Sequence, residues 1–212
     1  MSEPPSRRSD VDDPNATFDD SAASYVSRGG VKLAAALRHF QFDVSGLLAA
    51  DLGSHVGGFV DCLLQHGARK VYAVDTAYGT FAWKLRKDPR VVVHERANAM
   101  HVTLPEPVDV VTIDVGWTTQ SKVLPNVVAM LAPGGRVITL IKPHYEAAGE
   151  LLHDGVLPED KVDFVLSTVT REIESVGWTV HGMVDSPLRG HGGNREVFAF
   201  LTRPTRPLEY TP

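Results

Sequence analysis

Chemistry-bearing residues stand at the ends of four apolar runs. The stretch GGRVITLIKPHYE (134–146) carries a strand-like pattern from Val137 to Ile141, ends on Lys142, and is pinned immediately afterwards by Pro143. A second run, VDVVTIDV (108–115), delivers Asp114. A lone lysine at a strand end is most often a surface residue with a snorkelling stem. If the two runs are neighbours in one parallel sheet, however, aspartate and lysine project into one cleft, where opposite charges orient each other. Two further ends carry binding chemistry. LLAADLG (47–53) leads into GSHVGG, where Gly53, Gly57 and Gly58 permit a tight turn and a close backbone approach to a ligand. KVYAVD (70–75) ends on Asp75, and an acid there accepts hydrogen bonds from both hydroxyls of a ribose. The glycine spacing is G-x-x-x-G-G, which is neither the dinucleotide fingerprint G-x-G-x-x-G nor a phosphate loop ending in Gly-Lys-Ser/Thr. A glycine turn plus a ribose-binding acid without a pyrophosphate motif favours S-adenosylmethionine over NAD or ATP.

These ends need a scaffold that aligns them. From Tyr25 onward strand and helix patterns alternate. Strands are expected at 47–53, 70–75, 91–94, 108–115, 135–142, 178–184 and 196–202, and helices at 31–40, 57–67, 80–87, 119–132 and 158–176. Such alternation predicts an α/β, doubly wound sheet of about seven strands, mostly parallel with an antiparallel closing strand. In such a sheet ligands bind at the carboxyl ends of the strands, near the point where strand order reverses. Residues 1–24 are rich in Ser, Pro and Asp and read as an acidic, disordered tail ahead of a domain at 25–212.

Composition narrows the function classes. The chain has 212 residues, 43% hydrophobic and 22% charged, which suits one soluble domain. No apolar run approaches the roughly 20 residues of a membrane span, and no secretory leader is visible. A single cysteine, Cys62, excludes an internal disulfide and suits a reducing cytoplasm. The nine histidines show no metal-ligand spacing, so no metal is expected. The net charge of −5 offers no support for a polyanionic partner, although six acids against two arginines in residues 1–24 account for most of it.

Longer stretches carry a resemblance. YVSRGGVKLAAAL, DLGSHVGGFVDCLLQHGARKVYAVD, DPRVVVHERANAM, IKPHYE and GGNREVF, taken in order, resemble the TlyA/hemolysin-A group of FtsJ-type RNA methyltransferases through nearly all of 25–202. The resemblance implies a Rossmann-like methyltransferase fold and methylation of a ribose 2′-hydroxyl of RNA, ribosomal RNA foremost. It implies a Lys-Asp-Lys-Glu tetrad at Lys32, Asp114, Lys142 and Glu196. It also implies a cofactor site at Gly53, Ser54, Gly57, Gly58 and Phe59, with Asp75 at the ribose, Asn98 near the adenine and Asp114 at its border. Methyl transfer is an in-line displacement at an already activated carbon, so the protein chiefly aligns the acceptor. In that chemistry Lys142 either draws the proton from the acceptor hydroxyl or orients that hydroxyl and steadies the developing oxyanion.

Other residues keep two readings each. Arg28 is a phosphate contact or a surface arginine, and Trp117 and Tyr145 stack on a base or on protein. His55 and His144 flank the expected pocket without an assigned role, and Cys62 reads as core. The chain departs from the family in lacking its usual N-terminal S4-like domain. It also has Gly116–Trp117 where Ser-Phe is usual, and KPHYE where Lys-Pro-Gln-Phe-Glu is common. These differences keep two alternatives in play: a methyltransferase for a small-molecule or protein acceptor, and a non-catalytic RNA- or ribosome-binding relative. Membrane lysis, which the hemolysin label suggests, finds no amphipathic or spanning stretch to carry it.

Overall fold

A computed structural model of the chain describes residues 25–203, and the expected tail at 1–24 lies outside the described residues. The elements run α1 (Arg28–His39), β1 (Leu48–Leu52), α2 (Gly58–Gln65), β2 (Lys70–Asp75), α3 (Trp83–Arg86), β3 (Val91–Glu95) and β4 (Val108–Ile113). They continue with α4 (Gln120–Met130), β5 (Leu131–Ile141), α5 (Pro143–Glu146), α6 (Glu159–Ser175), β6 (Thr179–Asp185) and β7 (Val197–Thr202). The seven strands form one sheet in the order β3-β2-β1-β4-β5-β7-β6. Strands β1 to β5 are parallel to one another, and β7 runs antiparallel to both β5 and β6. The closing strand therefore inserts beside β5 rather than adding to an edge. Strand order reverses between β1 and β4, which sets the switch point there.

Alternation along each strand feeds two cores. Leu48, Ala50 and Leu52 of β1 pack on one face with Val123, Leu124 and Val127 of α4 and Val162, Val165 and Val169 of α6. Ala49, with Val71, Ile138 and Phe198, faces the other way onto Leu33 and Leu37 of α1 and Val60 and Leu63 of α2. Because helices cover both faces, the central strands read as continuous apolar runs, as parallel strands in such sheets do. Each large side chain buried this way contributes on the order of 1.5–3 kcal/mol. Among the described residues no helix is long and apolar enough to cross a membrane.

Most expected element ends shift by one to three residues, and three changes stand out. The helix expected at 80–87 contracts to the four residues of α3: Ala82, at φ −58° and ψ 130°, is not helical and delays its start to Trp83, and it ends at Arg86, shortly before Asp88–Pro89. The strand expected at 135–142 begins earlier, with Leu131 pairing Val108 ahead of a bulge and Gly134 at φ +80° absorbing the bend. The strand expected at 108–115 stops at Ile113 and leaves 114–119 as a loop. That loop is where the site lies.

Candidate active site

Register aligns the binding ends. Leu52 of β1 pairs with Val74 of β2 and with Ile113 of β4, so Gly53, Asp75 and Asp114 are the next residues along three adjacent strands. On the far side Ile141 pairs with Val197 across the antiparallel β5/β7 ladder, which sets Lys142 and Glu196 side by side one step beyond it. Gly53 is required twice over: its φ is +89°, and a Cβ there would lie 2.3 Å from the carbonyl oxygen of Asp114. The amide of Asp114 donates to Leu52 O at 2.8 Å, locking the β1 and β4 ends together.

Between these ends opens a cleft of about 370 Å³, lined by Gly53, Asp75, Asn98, Asp114 and Lys142 from the sequence-based expectation. It is also lined by His55, Thr76, Ala97, Ala99, Met100 and the 115–118 loop through Val115, Gly116 and Thr118. His55 was expected beside the pocket and Gly116 was noted as a departure from the family; the others lacked a type signal in the sequence, since they contribute backbone or small or apolar side chains. Their position just after parallel strands was the available clue. Asp75 is held in place by two backbone donors, His55 N–H to Oδ2 at 2.7 Å and Ala77 N–H to Oδ1 at 2.7 Å. Each carboxylate oxygen retains a lone pair for a further donor. The side chain of Asn98 accepts from Met100 N–H at 2.9 Å and shapes the turn on which both sit.

Four of the expected cofactor residues do not line this cleft. The Ser54 hydroxyl is buried and donates to Asp51 O at 2.9 Å, bracing the turn from beneath. Gly57 takes φ +102° as the N-cap of α2. A Cβ on Gly58 would meet Ser27 Oγ at 2.2 Å, so its task is the close approach of α2 to α1. Phe59 is buried with its ring 5.9 Å from that of Phe198. Cys62 is buried in the same layer, as core.

The four tetrad positions come together as two ion pairs. Lys142 Nζ lies 2.6 Å from Asp114 Oδ1, a contact held by charge without hydrogen-bond alignment, and donates to Val115 O at 3.3 Å. Lys32 Nζ, reaching over from α1, donates to Glu196 Oε2 at 2.5 Å. The exposures of the Lys32 and Glu196 side chains are 13% and 4%, so neither charge is tolerable there without the other. Beside Lys142, the Tyr145 ring stacks on Trp117 with centroids 4.5 Å apart and planes inclined by 31°. Trp117 is 86% exposed and held at φ +57°, a left-handed conformation costly for a bulky residue. His144 is buried against Tyr145, His55 sits in the cleft wall, and Arg28 opens α1 with its guanidinium 3.5 Å from Arg189 O.

Two buried carboxyls hold protons unusually tightly. Burial pushes Asp51 up to about 7; a hydrogen bond from Thr112 opposes this, and the charges of Asp114 and Asp75 add to it. Burial likewise lifts Glu146 to about 7, against the Gln120 N–H and with the charge of Glu172 adding to it. Among the described residues no group of His, Cys, Asp or Glu could hold a metal ion.

The lining fits S-adenosylmethionine. Asp75 offers paired acceptors for a ribose, Gly53 leaves room for close approach, and Ala97, Ala99 and Met100 supply an apolar slot. Asp75 and Asp114 give the cleft negative charge, which suits a donor that carries a sulfonium and an ammonium.

Comparison with known proteins agrees with this geometry. YqxC of Bacillus subtilis, an rRNA methyltransferase candidate, is 40% identical over 189 residues, 85% of this chain and 66% of its own. The 16S/23S rRNA (cytidine-2′-O)-methyltransferase TlyA of Mycobacterium tuberculosis is 39% identical over 196 residues, 88% of this chain and 71% of its own. This chain thus spans about two thirds of the length of these curated relatives. A solved structure of a hemolysin-named protein from Streptococcus thermophilus superposes with a TM-score of 0.84 at 37% identity, over 87% of this chain and 69% of that one. The model of the FtsJ-like methyltransferases matches residues 25–203, the whole of the described fold. By strand order, by the cleft at the switch point and by this match, the chain belongs to the FtsJ-like methyltransferase family.

Proposed function

We propose that the chain transfers a methyl group from S-adenosylmethionine to a ribose 2′-hydroxyl of RNA, with ribosomal RNA as the polymer. One observation carries the reading: the cleft that suits the donor ends on Lys142, which is ion-paired to Asp114 and adjoins a second pair, Lys32–Glu196. When bound, S-adenosylmethionine supplies a methyl group activated by its sulfonium. Asp75 would hold the ribose of the donor through charge-assisted hydrogen bonds, and Asn98, Ala97 and Ala99 would border the base. Asp114 orients Lys142. An ammonium has three donors; Val115 O accepts from Lys142, while Asp114 holds it by charge. A further donor is left for the acceptor oxygen, which it orients and whose developing charge it steadies. Lys32 and Glu196 extend this charged floor towards the acceptor, and the exposed face of Trp117, backed by Tyr145, offers a surface for its base. The names of the relatives point to the same chemistry: TlyA is named for cytidine-2′-O methylation of 16S and 23S rRNA.

The test is transfer of labelled methyl to total RNA and to ribosomal subunits, with Lys142→Ala as control. Label at positions resistant to alkaline cleavage, lost in the variant, is the expected result. Label found only in protein or in small molecules would replace RNA by one of those acceptors. Absence of donor binding would overturn the enzymatic reading.

A further inference from the structure

Loop 114–120 and segment 142–146 are stitched together at three points. Lys142 holds Asp114 and Val115 O at one end, and the Trp117 and Tyr145 rings stack in the middle. At the far end, 26 residues apart in sequence, the Gln120 N–H donates to Glu146 Oε1 at 3.0 Å. The first two stitches belong to the proposed chemistry, whereas the third has no part in it. Gln120 is the first residue of α4, and Thr119 at the N-cap makes no side-chain capping bond. Glu146 therefore supplies the acceptor that a local capping side chain usually provides.

The stitch is buried and continues inward. The Gln120 side chain accepts from the Thr139 hydroxyl of β5 at 2.7 Å, with Gln120 and Thr139 both buried. The other Glu146 oxygen, Oε2, is buried without a hydrogen-bond partner among the described residues. A half-satisfied buried carboxyl costs stability that an apolar residue would not. Its placement explains the cost: by bonding Gln120, whose side chain in turn holds Thr139, it ties the turn that carries Tyr145 to the helix that follows the Trp117 loop and, through that helix, to the strand after which Lys142 emerges.

We infer that Glu146 is a positioning residue: its carboxyl holds the 114–120 wall of the cleft against the Lys142 turn, setting the separation at which the acceptor is received. The kinetic consequence rests on the methyl-transfer reading; the structural one does not. The charged groups facing Glu146 are Glu172 of α6 and Lys122 of α4, with Lys142 and His144 on its own segment. As the pH rises past about 7 the buried carboxyl ionises next to Glu172 and draws in water, while the Gln120 N–H bond, which favours the charged form, tightens; the surroundings of the stitch change with that charge.

The test uses the full chain and the variants Glu146→Ala and Glu146→Gln. In the ligand-free protein, Trp117 fluorescence, isolated by subtracting the Trp117→Phe spectrum, is followed from pH 5.5 to 8.5 alongside hydrogen exchange at Gln120. The wild type is expected to show a fluorescence step near neutrality that Glu146→Gln lacks, although His144 is present in both. Glu146→Ala is expected to speed Gln120 exchange by about tenfold or more, at a global stability high enough to exclude general unfolding. It also raises the KM for acceptor RNA about tenfold with a smaller change in kcat, and Glu146→Gln restores the KM at low pH. A fluorescence step that persists in Glu146→Gln overturns the inference, as does unchanged Gln120 exchange in a folded Glu146→Ala protein. Failure of the wild type to methylate any RNA would refute the proposed function while leaving both ligand-free readouts to judge Glu146.

Discussion

Replacing Asp51 by asparagine will change how the stability of this protein depends on pH, and the structure sets both sign and size. Asp51 is fully buried at the end of β1; its Oδ1 accepts from Thr112 at 2.7 Å, and Oδ2 has no hydrogen-bond partner among the described residues. In the folded chain the carboxyl keeps its proton up to about pH 7, while in the unfolded chain it loses it near the ordinary value of 3.8. Between those limits the folded state binds more protons than the unfolded state. Stability is therefore greatest below about pH 4 for this group, falls as pH rises, and levels off above about 7. At about 1.4 kcal/mol per pH unit the whole interval is worth on the order of 4 kcal/mol, and the accessible part from pH 5 to 7 roughly 3 kcal/mol. Asparagine keeps an acceptor for Thr112 and cannot ionise. Its fixed cost, an amide nitrogen in place of Oδ2, does not vary with pH. Urea unfolding of both proteins at half-unit steps from pH 5 to 8.5 gives the difference curve. Relative to wild type, the variant gains roughly 3 kcal/mol between pH 5 and 7 and nothing beyond. Glu146 contributes a slope of the same sign in both proteins and drops out of the comparison. A flat difference curve would mean that Asp51 is already ionised in the folded chain at pH 5, and would refute the burial argument.

Other perturbations separate binding from chemistry. Lys142→Met removes the charge at the acceptor and is expected to lower kcat by roughly 10²–10³-fold, with donor affinity by calorimetry changed only a few-fold. If Asp75 holds the donor ribose as proposed, Asp75→Asn weakens its charge-assisted hydrogen bonding and should raise the donor Kd about 10–100-fold, with a much smaller loss of kcat at saturating donor. Gly53→Ala places a side chain at φ +89° and 2.3 Å from Asp114 O; a loss of at least about 2 kcal/mol in urea unfolding is expected, and a neutral result would contradict the register described above. Lys32→Met strands the buried Glu196 charge and should cost about 3 kcal/mol, much of which the double variant Lys32→Met/Glu196→Gln regains without regaining activity.

Much of this architecture was legible before any coordinates. Apolar runs bounded by glycine and acid are what a parallel strand covered on both faces must look like, and the ends at Gly53, Asp75, Asp114 and Lys142 marked the cleft because ligands in such sheets bind beyond the carboxyl ends of the strands. The roles within the glycine turn were less legible. Gly53, Gly57 and Gly58 look alike in sequence, yet only Gly53 lines the cleft, while the other two shape and pack α2. Phe59 and Ser54 follow the same rule, since proximity in sequence to a binding turn does not decide which face of a helix or turn a side chain takes.

By itself the sequence determined what local chemistry can determine: the strand and helix periods, the strand ends and the glycine that a left-handed turn demands; the four charged positions of the expected tetrad came from the family resemblance. Only the tertiary structure decided which of those charges meet. Lys32 and Glu196 are 164 residues apart and become partners because α1 packs beside a β7 that inserts next to β5 rather than at the sheet edge. The proton held by Asp51 and the bond from Gln120 to Glu146 likewise depend on burial and on long-range contact. Desolvation and pairing act through distances in space, and a chain of letters records only distances along itself.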